Sequence, residues 1–167
     1  MKRKTKLQVL YVEDDADSRD LVSYIFGQSD IEVVLANTAA EAWQCAHDQP
    51  FDMYLLDGML TAGPSLGLCR DLHKFTPNTP ILFYSALAYQ ADVQNGMEAG
   101  ANGYLVKPYF GDLYETVSAA IHDSISTRVF PHQPERSEEV MMFDHSRPIK
   151  STLSALKKLI PPEFVPI

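Results

Sequence analysis

Polar residues of the kinds that phosphoryl chemistry uses follow four short apolar segments of this chain. Glu13 and Asp14 follow the first segment, Asp57 follows a later one, and Ser85 and Lys107 follow the last two. Carboxylates bind hard divalent cations, and a carboxylate can attack phosphorus as a nucleophile. An amine and a hydroxyl can hold phosphoryl oxygens. These residues would therefore make a site for phosphorylation of an aspartate, provided that the fold brings them together.

The segments that would position these residues read as strands alternating with helices. The predicted strands are short and rich in Val, Ile, Leu and Tyr. We expect them at 8–12, 31–36, 53–56, 80–84 and 103–106. We expect helices at 16–28, 38–47, 65–74, 92–99 and 111–126. Regular alternation predicts an all-parallel sheet with helices on both faces, so the polar residues should meet beyond the carboxyl ends of the strands.

Capping residues mark the start of two of these helices. Asp15 precedes the first helix and is expected to be its N-cap. Thr38 and Glu41 match the capping box, in which each side chain accepts a hydrogen bond from the main-chain N–H of the other residue.

A cation is needed at such a site because the carboxylate nucleophile and the phosphoryl donor are both anions. Mg²⁺ prefers octahedral oxygen coordination that includes one or two carboxylates. We therefore expect Asp14 and Asp57 to bind Mg²⁺, with Glu13 beside them or acting through water. Met59 could contribute only its main-chain carbonyl.

Each of these residues also has an ordinary structural explanation. Asp14 could belong to a helix N-cap, and Asp57 with the glycine after it is a turn signal. Ser85, whose hydroxyl would hydrogen-bond a phosphoryl oxygen, could instead cap a helix or loop. Lys107, whose charge would pair with the phosphoryl oxygens, could be a solvated lysine before a proline. Each signal is weak alone, but their meeting at one edge of a sheet favours the site.

The composition fits a globular protein with an acidic balance. The chain has 167 residues, 46% of them hydrophobic, and a formal net charge of -8. This content suffices for a buried core, and the negative charge argues against nucleic acid as a partner. The apolar segments are too short for a membrane span. Cys45 and Cys69 are in no CxxC pair, so we expect reduced thiols in a cytoplasmic protein.

Four motifs, in order along the chain, resemble the receiver domain of two-component response regulators. They are Leu10-Tyr11-Val12-Glu13-Asp14-Asp15, Tyr54-Leu55-Leu56-Asp57, Phe83-Tyr84-Ser85-Ala86 and Tyr104-Leu105-Val106-Lys107-Pro108. The resemblance implies a receiver domain over residues 1–126. It also implies a flavodoxin-like α/β fold, a (βα)5 doubly wound parallel sheet with strand order 2-1-3-4-5.

The resemblance implies a phosphoryl acceptor. Asp57 would take a phosphoryl group from a sensor histidine kinase or phosphotransfer protein in a Mg²⁺-dependent reaction. Glu13 and Asp14 would hold the metal ion together with Asp57 and the Met59 carbonyl, and Lys107 would pair with the acyl phosphate.

The resemblance also implies a switch made of Ser85 and Tyr104. Ser85 would move toward the phosphate, and Tyr104 would turn inward to fill the vacated space. The surface of the fourth helix, fifth strand and fifth helix would then change shape. A downstream protein target would bind this surface, or a homodimer would form through it or through the C-terminal tail.

The segment after Asp57 departs from the family pattern. Thr61 stands where family members usually have proline, and their Gly-x-Asp-Gly turn is replaced in the segment Thr61-Ala62-Gly63-Pro64-Ser65-Leu66-Gly67. We therefore expect a turn of different shape, which leaves the lifetime of the phosphoryl group open. Glu13 in place of aspartate and Ser85 in place of threonine retain the required chemistry.

Residues 127–167 are expected to form a C-terminal extension rather than a second domain. Its last part predicts a short amphipathic helix at about 149–160. Four apolar residues share one helical face, namely Ile149, Leu153, Leu156 and Ile160. This helix would pack against the main domain or else offer a surface to a partner or a second copy.

We thus expect a single-domain response regulator that is phosphorylated in a phosphorelay and signals by protein contact, rather than a turnover enzyme. One alternative is a binding or scaffold module that keeps the receiver shape but works without phosphate. The retained acids and Lys107 disfavour it. Another is a phosphatase of the haloacid dehalogenase class, which has a second aspartate two residues after its nucleophile, where this chain has Met59.

Overall fold

Strands and helices alternate through the computed structural model, which describes residues 6–107 and 113–125. In chain order, the elements are β1 (Leu7–Val12), α1 (Ala16–Phe26), β2 (Ile31–Ala36), α2 (Ala39–Asp48), β3 (Met53–Leu56), β4 (Met59–Leu60), β5 (Gly63–Pro64), α3 (Leu66–Phe75), β6 (Ile81–Ser85), α4 (Gln90–Glu98), β7 (Gly103–Val106) and α5 (Leu113–Ile125). Five strands form one parallel sheet in the order β2-β1-β3-β6-β7. Because β6 and β7 are the fourth and fifth predicted strands, the flavodoxin-like class and the order 2-1-3-4-5 are confirmed.

Two apolar layers cover the two faces of this sheet. Alternate side chains of a strand point to opposite faces, so Val9 and Tyr11 of β1 lie in one layer and Leu10 and Val12 in the other. The layer with Val9 includes residues of α1 and α5. The layer with Leu10 includes residues of α2 and α3. Burial on both faces explains why these strands are almost entirely apolar.

Main-chain hydrogen bonds hold the residues just beyond the strands in register. The Glu13 N–H donates to the Ala36 carbonyl at 3.0 Å, and the Asp57 N–H donates to the Val12 carbonyl at 2.9 Å. The Lys107 N–H donates to the Ser85 carbonyl at 2.8 Å. The ladder therefore continues one residue past these strands and fixes the backbone at the edge that carries the polar side chains.

The capping residues act largely as predicted. The Asp15 side chain accepts a hydrogen bond from the Ser18 N–H at 2.8 Å and caps α1. Thr38 caps α2 by accepting from the Glu41 N–H at 3.1 Å. The reciprocal bond differs from the prediction, because the Glu41 carboxylate accepts from the N–H of Asn37, one residue before the cap.

A small hairpin follows β3 and was not predicted. β4 and β5 pair antiparallel, with Met59 opposite Pro64 and Leu60 opposite Gly63. Gly63 has a φ of 122°, in the region that favours glycine. The expected difference in the shape of this segment is therefore an added pair of short strands beside the carboxyl edge of the sheet.

Several boundaries differ from the predictions by one or two residues. Ser85 is the last residue of β6 rather than the residue after it, and α4 begins at Gln90 rather than at residue 92. The extension at 127–167 and its helix at 149–160 lie outside the described residues, so these predictions stay untested. Of the helices that are described, none combines the length and the apolar character needed to cross a bilayer.

Candidate functional site

Three carboxylates lie together at the carboxyl edge of the sheet. One oxygen from each of Glu13, Asp14 and Asp57 lies within 4.8 Å of the other two. Glu13 and Asp57 are buried, and Asp14 is partly exposed. Adjacent oxygens around an octahedral Mg²⁺ ion lie about 3 Å apart, because each is about 2.1 Å from the metal. The three carboxylates are therefore near enough to one another that small side-chain movements would let them share a divalent cation.

Lys107 supplies the positive charge of this cluster. Its Nζ forms an ion pair with Glu13 Oε2 and lies 3.2 Å from Asp57 Oδ1. The lysine side chain is only 10% exposed, and those of its two partners are 2% and 10% exposed. Buried charges require partners of opposite sign, so Lys107 holds two of the three acids in place.

Glu13 has two further hydrogen bonds. Its Oε2 accepts from the Tyr11 hydroxyl at 2.9 Å, and its Oε1 accepts from the Asp15 N–H at 3.0 Å. Burial raises the pKa of the Tyr11 phenol above its ordinary value, so this hydroxyl keeps its proton and acts as the donor. The buried Tyr11 side chain therefore helps to fix the position of the Glu13 carboxylate.

Asp14 is bound by the hairpin that follows Asp57. Its Oδ2 accepts a hydrogen bond from the Thr61 N–H at 2.6 Å and a second one from the Thr61 hydroxyl. The hydroxyl bond is the main reason why the pKa of the Asp14 carboxyl lies below its ordinary value. Sequence reasoning singled out Thr61 only as a departure from a family proline. A proline has no N–H, so a new main-chain donor at this position was the available signal.

The segment between Asp57 and the hairpin is closely packed. The Met59 N–H donates to Asp57 Oδ2 at 3.3 Å, while the Met59 side chain is 45% exposed. A Cβ atom at Gly58 would lie 2.6 Å from the Ser85 Oγ. A side chain at this position would collide with Ser85, which explains the glycine immediately after Asp57.

Ser85 and Tyr104 both contact Leu87. The Ser85 Oγ accepts from the Leu87 N–H at 3.2 Å, and the Tyr104 hydroxyl donates to the Leu87 carbonyl at 2.8 Å. The Tyr104 ring stacks on Phe83, with 5.5 Å between ring centroids. Burial raises the pKa of Tyr104. The two residues predicted to form a switch therefore contact the same loop residue, which lies beside Gly58.

The structure brings together four of the predicted site residues, namely Glu13, Asp14, Asp57 and Lys107. Ser85 is the last residue of the neighbouring strand β6 and lies against Gly58, the residue after Asp57. The chemical roles assigned to these residues stay predictions. Sequence reasoning missed the hydrogen bonds that Tyr11 donates to Glu13 and Thr61 donates to Asp14.

Comparison with known families gives one match over most of the described residues. The model of the response regulator receiver domain matches residues 9–118. The matched range includes all of the site residues discussed above.

Curated relatives match the same part of the chain. A probable transcriptional regulatory protein of Picosynechococcus is 36% identical over 112 residues, which cover 63% of this chain and 45% of that protein. The phosphate regulon transcriptional regulatory protein PhoB of Escherichia coli is 29% identical over 104 residues, which cover 61% of this chain and 45% of that protein. The chain thus spans less than half the length of these relatives.

Solved structures show the same fold. A receiver domain protein (CheY-like) of Methanospirillum hungatei has a TM-score of 0.68 and 25% identity, and the match covers 72% of this chain and 97% of that one. The chemotaxis response regulator CheY4 of Vibrio cholerae has a TM-score of 0.62 and 28% identity, with 70% and 99% covered. Nearly the whole of each of these proteins therefore corresponds to the sheet and helices described here.

Proposed function

The chain belongs to the response regulator receiver domain family, and on that premise we propose that Asp57 accepts a phosphoryl group from a sensor histidine kinase or phosphotransfer protein. The observation that carries the proposal is the cluster of three carboxylates with one buried amine. Oxygens of Glu13, Asp14 and Asp57 lie within 4.8 Å of one another, and Lys107 Nζ lies 3.2 Å from Asp57 Oδ1.

Asp57 is the nucleophile in this reaction. A carboxylate oxygen of Asp57 forms a bond to phosphorus, while the phosphorus–nitrogen bond of the donor phosphohistidine breaks and its electron pair stays on the imidazole nitrogen. The product is an acyl phosphate on Asp57. Attack by water later releases inorganic phosphate and restores the carboxylate.

The chemistry of the acid cluster suits Mg²⁺: Glu13, Asp14 and Asp57 would be its carboxylate ligands. The Met59 carbonyl would be a further ligand. When bound, Mg²⁺ offsets the negative charge that accumulates between the donor phosphoryl group and the acceptor. Glu13 and Asp14 are kept in position by the hydrogen bonds described above.

Lys107 must change partners as the reaction proceeds. In the structure its amine contacts Glu13 and Asp57. Phosphorylation replaces the charge of the Asp57 carboxylate by a phosphoryl group with about 1.5 to 2 negative charges. The amine then turns from Glu13 toward the phosphoryl oxygens, because the larger charge is there.

Output passes through Ser85 and Tyr104. In the structure, the Ser85 hydroxyl accepts a hydrogen bond from the Leu87 N–H. A phosphoryl group on Asp57 offers oxygens to which the same hydroxyl can donate. Tyr104 donates to the carbonyl of Leu87, so a shift of Ser85 changes the loop on which Tyr104 rests. The α4, β7 and α5 surface then binds a downstream protein or a second copy of the chain.

Regulation of transcription is a second candidate for the output. The two curated relatives are described as transcriptional regulatory proteins, and more than half of each lies outside the matched part. The expectation that nucleic acid is not a partner therefore concerns this chain alone.

Labelling with radioactive acetyl phosphate and Mg²⁺ tests the acceptor. Asp57→Asn should abolish the label, because the amide is a poor nucleophile. Asp52→Asn is the matched control, since Asp52 precedes β3 at the opposite edge and accepts from the Gln8 N–H. Label that is unchanged in the Asp57 variant would remove Asp57 from this role and favour a phosphorylation-independent binding module.

Under this proposal, the protein is a signalling module in the cytoplasm rather than a turnover enzyme. Each chain should therefore accept at most one phosphoryl group. The protein should not sustain hydrolysis of a generic phosphomonoester. Steady release of phosphate from such a substrate, lost in Asp57→Asn, would instead indicate a phosphatase.

A further inference from the structure

Two buried tyrosines lie beneath the acid cluster. Tyr11 is 0% exposed and Tyr84 is 1% exposed, and both belong to the apolar layer on the α1 and α5 side of the sheet. Their positions follow from the alternation of side chains. Tyr11 belongs to β1, and Glu13 follows two residues later, just past the end of that strand, where the ladder continues, so the two side chains point to the same face. Tyr84 occupies the face of β6 on which Leu105 lies in β7.

The two hydroxyls differ in their partners. The Tyr11 hydroxyl donates to Glu13 Oε2 at 2.9 Å. The Tyr84 hydroxyl is buried and, among the residues that the structure describes, has no hydrogen-bond partner. Buried hydroxyls nearly always have partners, because an unpaired one loses its hydration without compensation. The Tyr84 hydroxyl is therefore a buried donor that the described contacts leave available.

Lys107 connects both tyrosines to the same carboxylate. Its Nζ contacts Glu13 Oε2 and lies 5.4 Å from the centre of the Tyr84 ring. The amine and the Tyr11 hydroxyl thus share one oxygen of Glu13, and the same amine lies over the Tyr84 ring. If the amine moves away, the oxygen loses its only charged partner among the described residues.

We propose that Tyr11 and Tyr84 are positioning residues for Glu13: the Tyr11 hydroxyl holds the carboxylate in the acid cluster, and the Tyr84 hydroxyl becomes its second donor when Lys107 turns to a phosphoryl group on Asp57. The role of Tyr84 rests on the proposed function, whereas the role of Tyr11 requires only that the cluster binds a cation.

The hydrogen bonds of Glu13 support this assignment. A carboxylate can accept about four hydrogen bonds, two on each oxygen. Oε2 receives Lys107 and Tyr11, and Oε1 receives the Asp15 N–H at 3.0 Å. One acceptor position of Oε1 is left for a cation or water. Tyr11 thereby determines which oxygen stays available, and Tyr84 can replace the amine on Oε2 without occupying Oε1.

Titration with MgCl₂ tests the role of Tyr11 in the unphosphorylated full chain. Tyr11→Phe should raise the Kd for Mg²⁺ about tenfold, the usual effect of removing a group that orients a metal ligand. It should also shift the amide resonance of Asp15, which donates to the same carboxylate. Tyr54→Phe is the matched control, because Tyr54 is 1% exposed, lies in the opposite apolar layer, and accepts its hydrogen bond from Thr76.

A double-mutant cycle separates positioning from general destabilisation. If Tyr11 acts through Glu13, then Tyr11→Phe should have no further effect on the Kd in a Glu13→Gln background, where the charged acceptor is absent. An unchanged Kd in Tyr11→Phe alone would overturn the role of Tyr11. An equal loss in both backgrounds would also overturn it, since the effect would then not pass through Glu13.

Labelling with acetyl phosphate tests the role of Tyr84. Tyr84→Phe should leave the Kd for Mg²⁺ and the melting temperature no worse than in the wild type, because this hydroxyl donates to none of the described residues. The rate of labelling at saturating Mg²⁺ should fall about fivefold, the value of one net hydrogen bond. Unchanged labelling, or a weakened Kd, would overturn this role.

The proposed function and this inference can fail separately. A wild-type chain that binds Mg²⁺ but takes no label would overturn the acceptor function and the role of Tyr84 with it. The Mg²⁺ titrations would still decide the role of Tyr11. Normal labelling of the wild type together with unchanged behaviour of both tyrosine variants would overturn the inference alone.

Discussion

Replacement of Lys107 by methionine should destabilise the protein strongly in the absence of divalent cations. The side chain contacts Glu13 and Asp57, both nearly inaccessible to solvent, and methionine keeps the apolar part of the lysine while removing its charge. Loss of one partner from a buried ion pair reduces the free energy of unfolding by roughly 3 to 5 kcal/mol, because an uncompensated charge is left. We expect about 3 kcal/mol here, since Asp14 is partly exposed and water can reach the cluster.

Mg²⁺ should restore much of this loss. A divalent cation among the three carboxylates replaces the missing positive charge, and it no longer competes with an amine. At a free Mg²⁺ concentration one hundred times the Kd, binding to the folded state alone raises the free energy of unfolding by about 2.7 kcal/mol. For a domain of this size, about 3 kcal/mol corresponds to roughly 10 °C in the melting temperature.

The assay is thermal unfolding with EDTA and over a series of MgCl₂ concentrations. Lys107→Met should melt well below the wild type in EDTA and should gain more from Mg²⁺ than the wild type does. Lys74→Met is the control, because Lys74 is an exposed residue in the last turn of α3. The reasoning is refuted if the Lys107 variant melts with the wild type in EDTA, or if Mg²⁺ raises both melting temperatures equally.

Two further predictions concern the segment after Asp57. Thr61→Val should raise the pKa of the Asp14 carboxyl, measured by NMR, whereas Thr61→Ser should keep it low because the hydroxyl remains. A lowered pKa in the folded state stabilises the protein above the unfolded value of about 3.9, and this contribution is lost as pH falls through the folded pKa. The free energy of unfolding of Thr61→Val should therefore be lower than that of the wild type at neutral pH, and the difference should disappear as the pH falls through the folded pKa of Asp14. A difference that is independent of pH would contradict this reasoning. Gly58→Ala should reduce the free energy of unfolding, measured in urea, by about 1 to 3 kcal/mol, because the added Cβ would collide with Ser85. Gly67→Ala is the control. Its Cβ would meet open space, so the reduction should be less than about 0.5 kcal/mol.

The sheet could be predicted from the sequence because each strand is buried on both faces. Such strands read as short apolar runs, and α-helical segments between them force parallel crossovers. The five long strands were accordingly located to within one residue at each end. β4 and β5 were missed because two-residue strands carry no periodic signal, and their pairing depends on the turn at Gly63.

The acid cluster could be predicted because its position follows from the ends of strands. The contacts of Thr61 and Tyr11 could not, since they depend on side-chain directions. Thr61 bonds an aspartate 47 residues earlier in the chain, across a hairpin that was not expected. Tyr11 reads as an ordinary core residue of a strand. Its distance of two residues from Glu13 shows that both side chains share a face, but not that the hydroxyl reaches the carboxylate.

The charges of the site explain why its neighbourhood is built from hydrogen-bond donors. Three carboxylates and one ammonium group leave a formal charge of two negative units in a largely buried place. In the described structure, N–H and hydroxyl groups of Asp15, Tyr11, Met59 and Thr61 all donate to these carboxylates. Donors can hold the acids together, but they do not cancel the charge, so the cluster retains its attraction for a cation.

The hydrogen bonds around the acid cluster determine which parts of the structure a change at Asp57 can affect. Met59 and Thr61 belong to one segment and bond Asp57 and Asp14 respectively, so the hairpin is tied to two of the acids. Ser85 and Tyr104 meet at Leu87, on the other side of Gly58. Under the proposed function, a phosphoryl group on Asp57 would therefore alter two separate surfaces. The hairpin would respond through its bonds to the acids, and the α4 side would respond through the Ser85 hydroxyl. Gly58→Ala should disturb the second route without removing the bonds that hold the first, which makes the two responses separable by NMR with beryllofluoride and Mg²⁺.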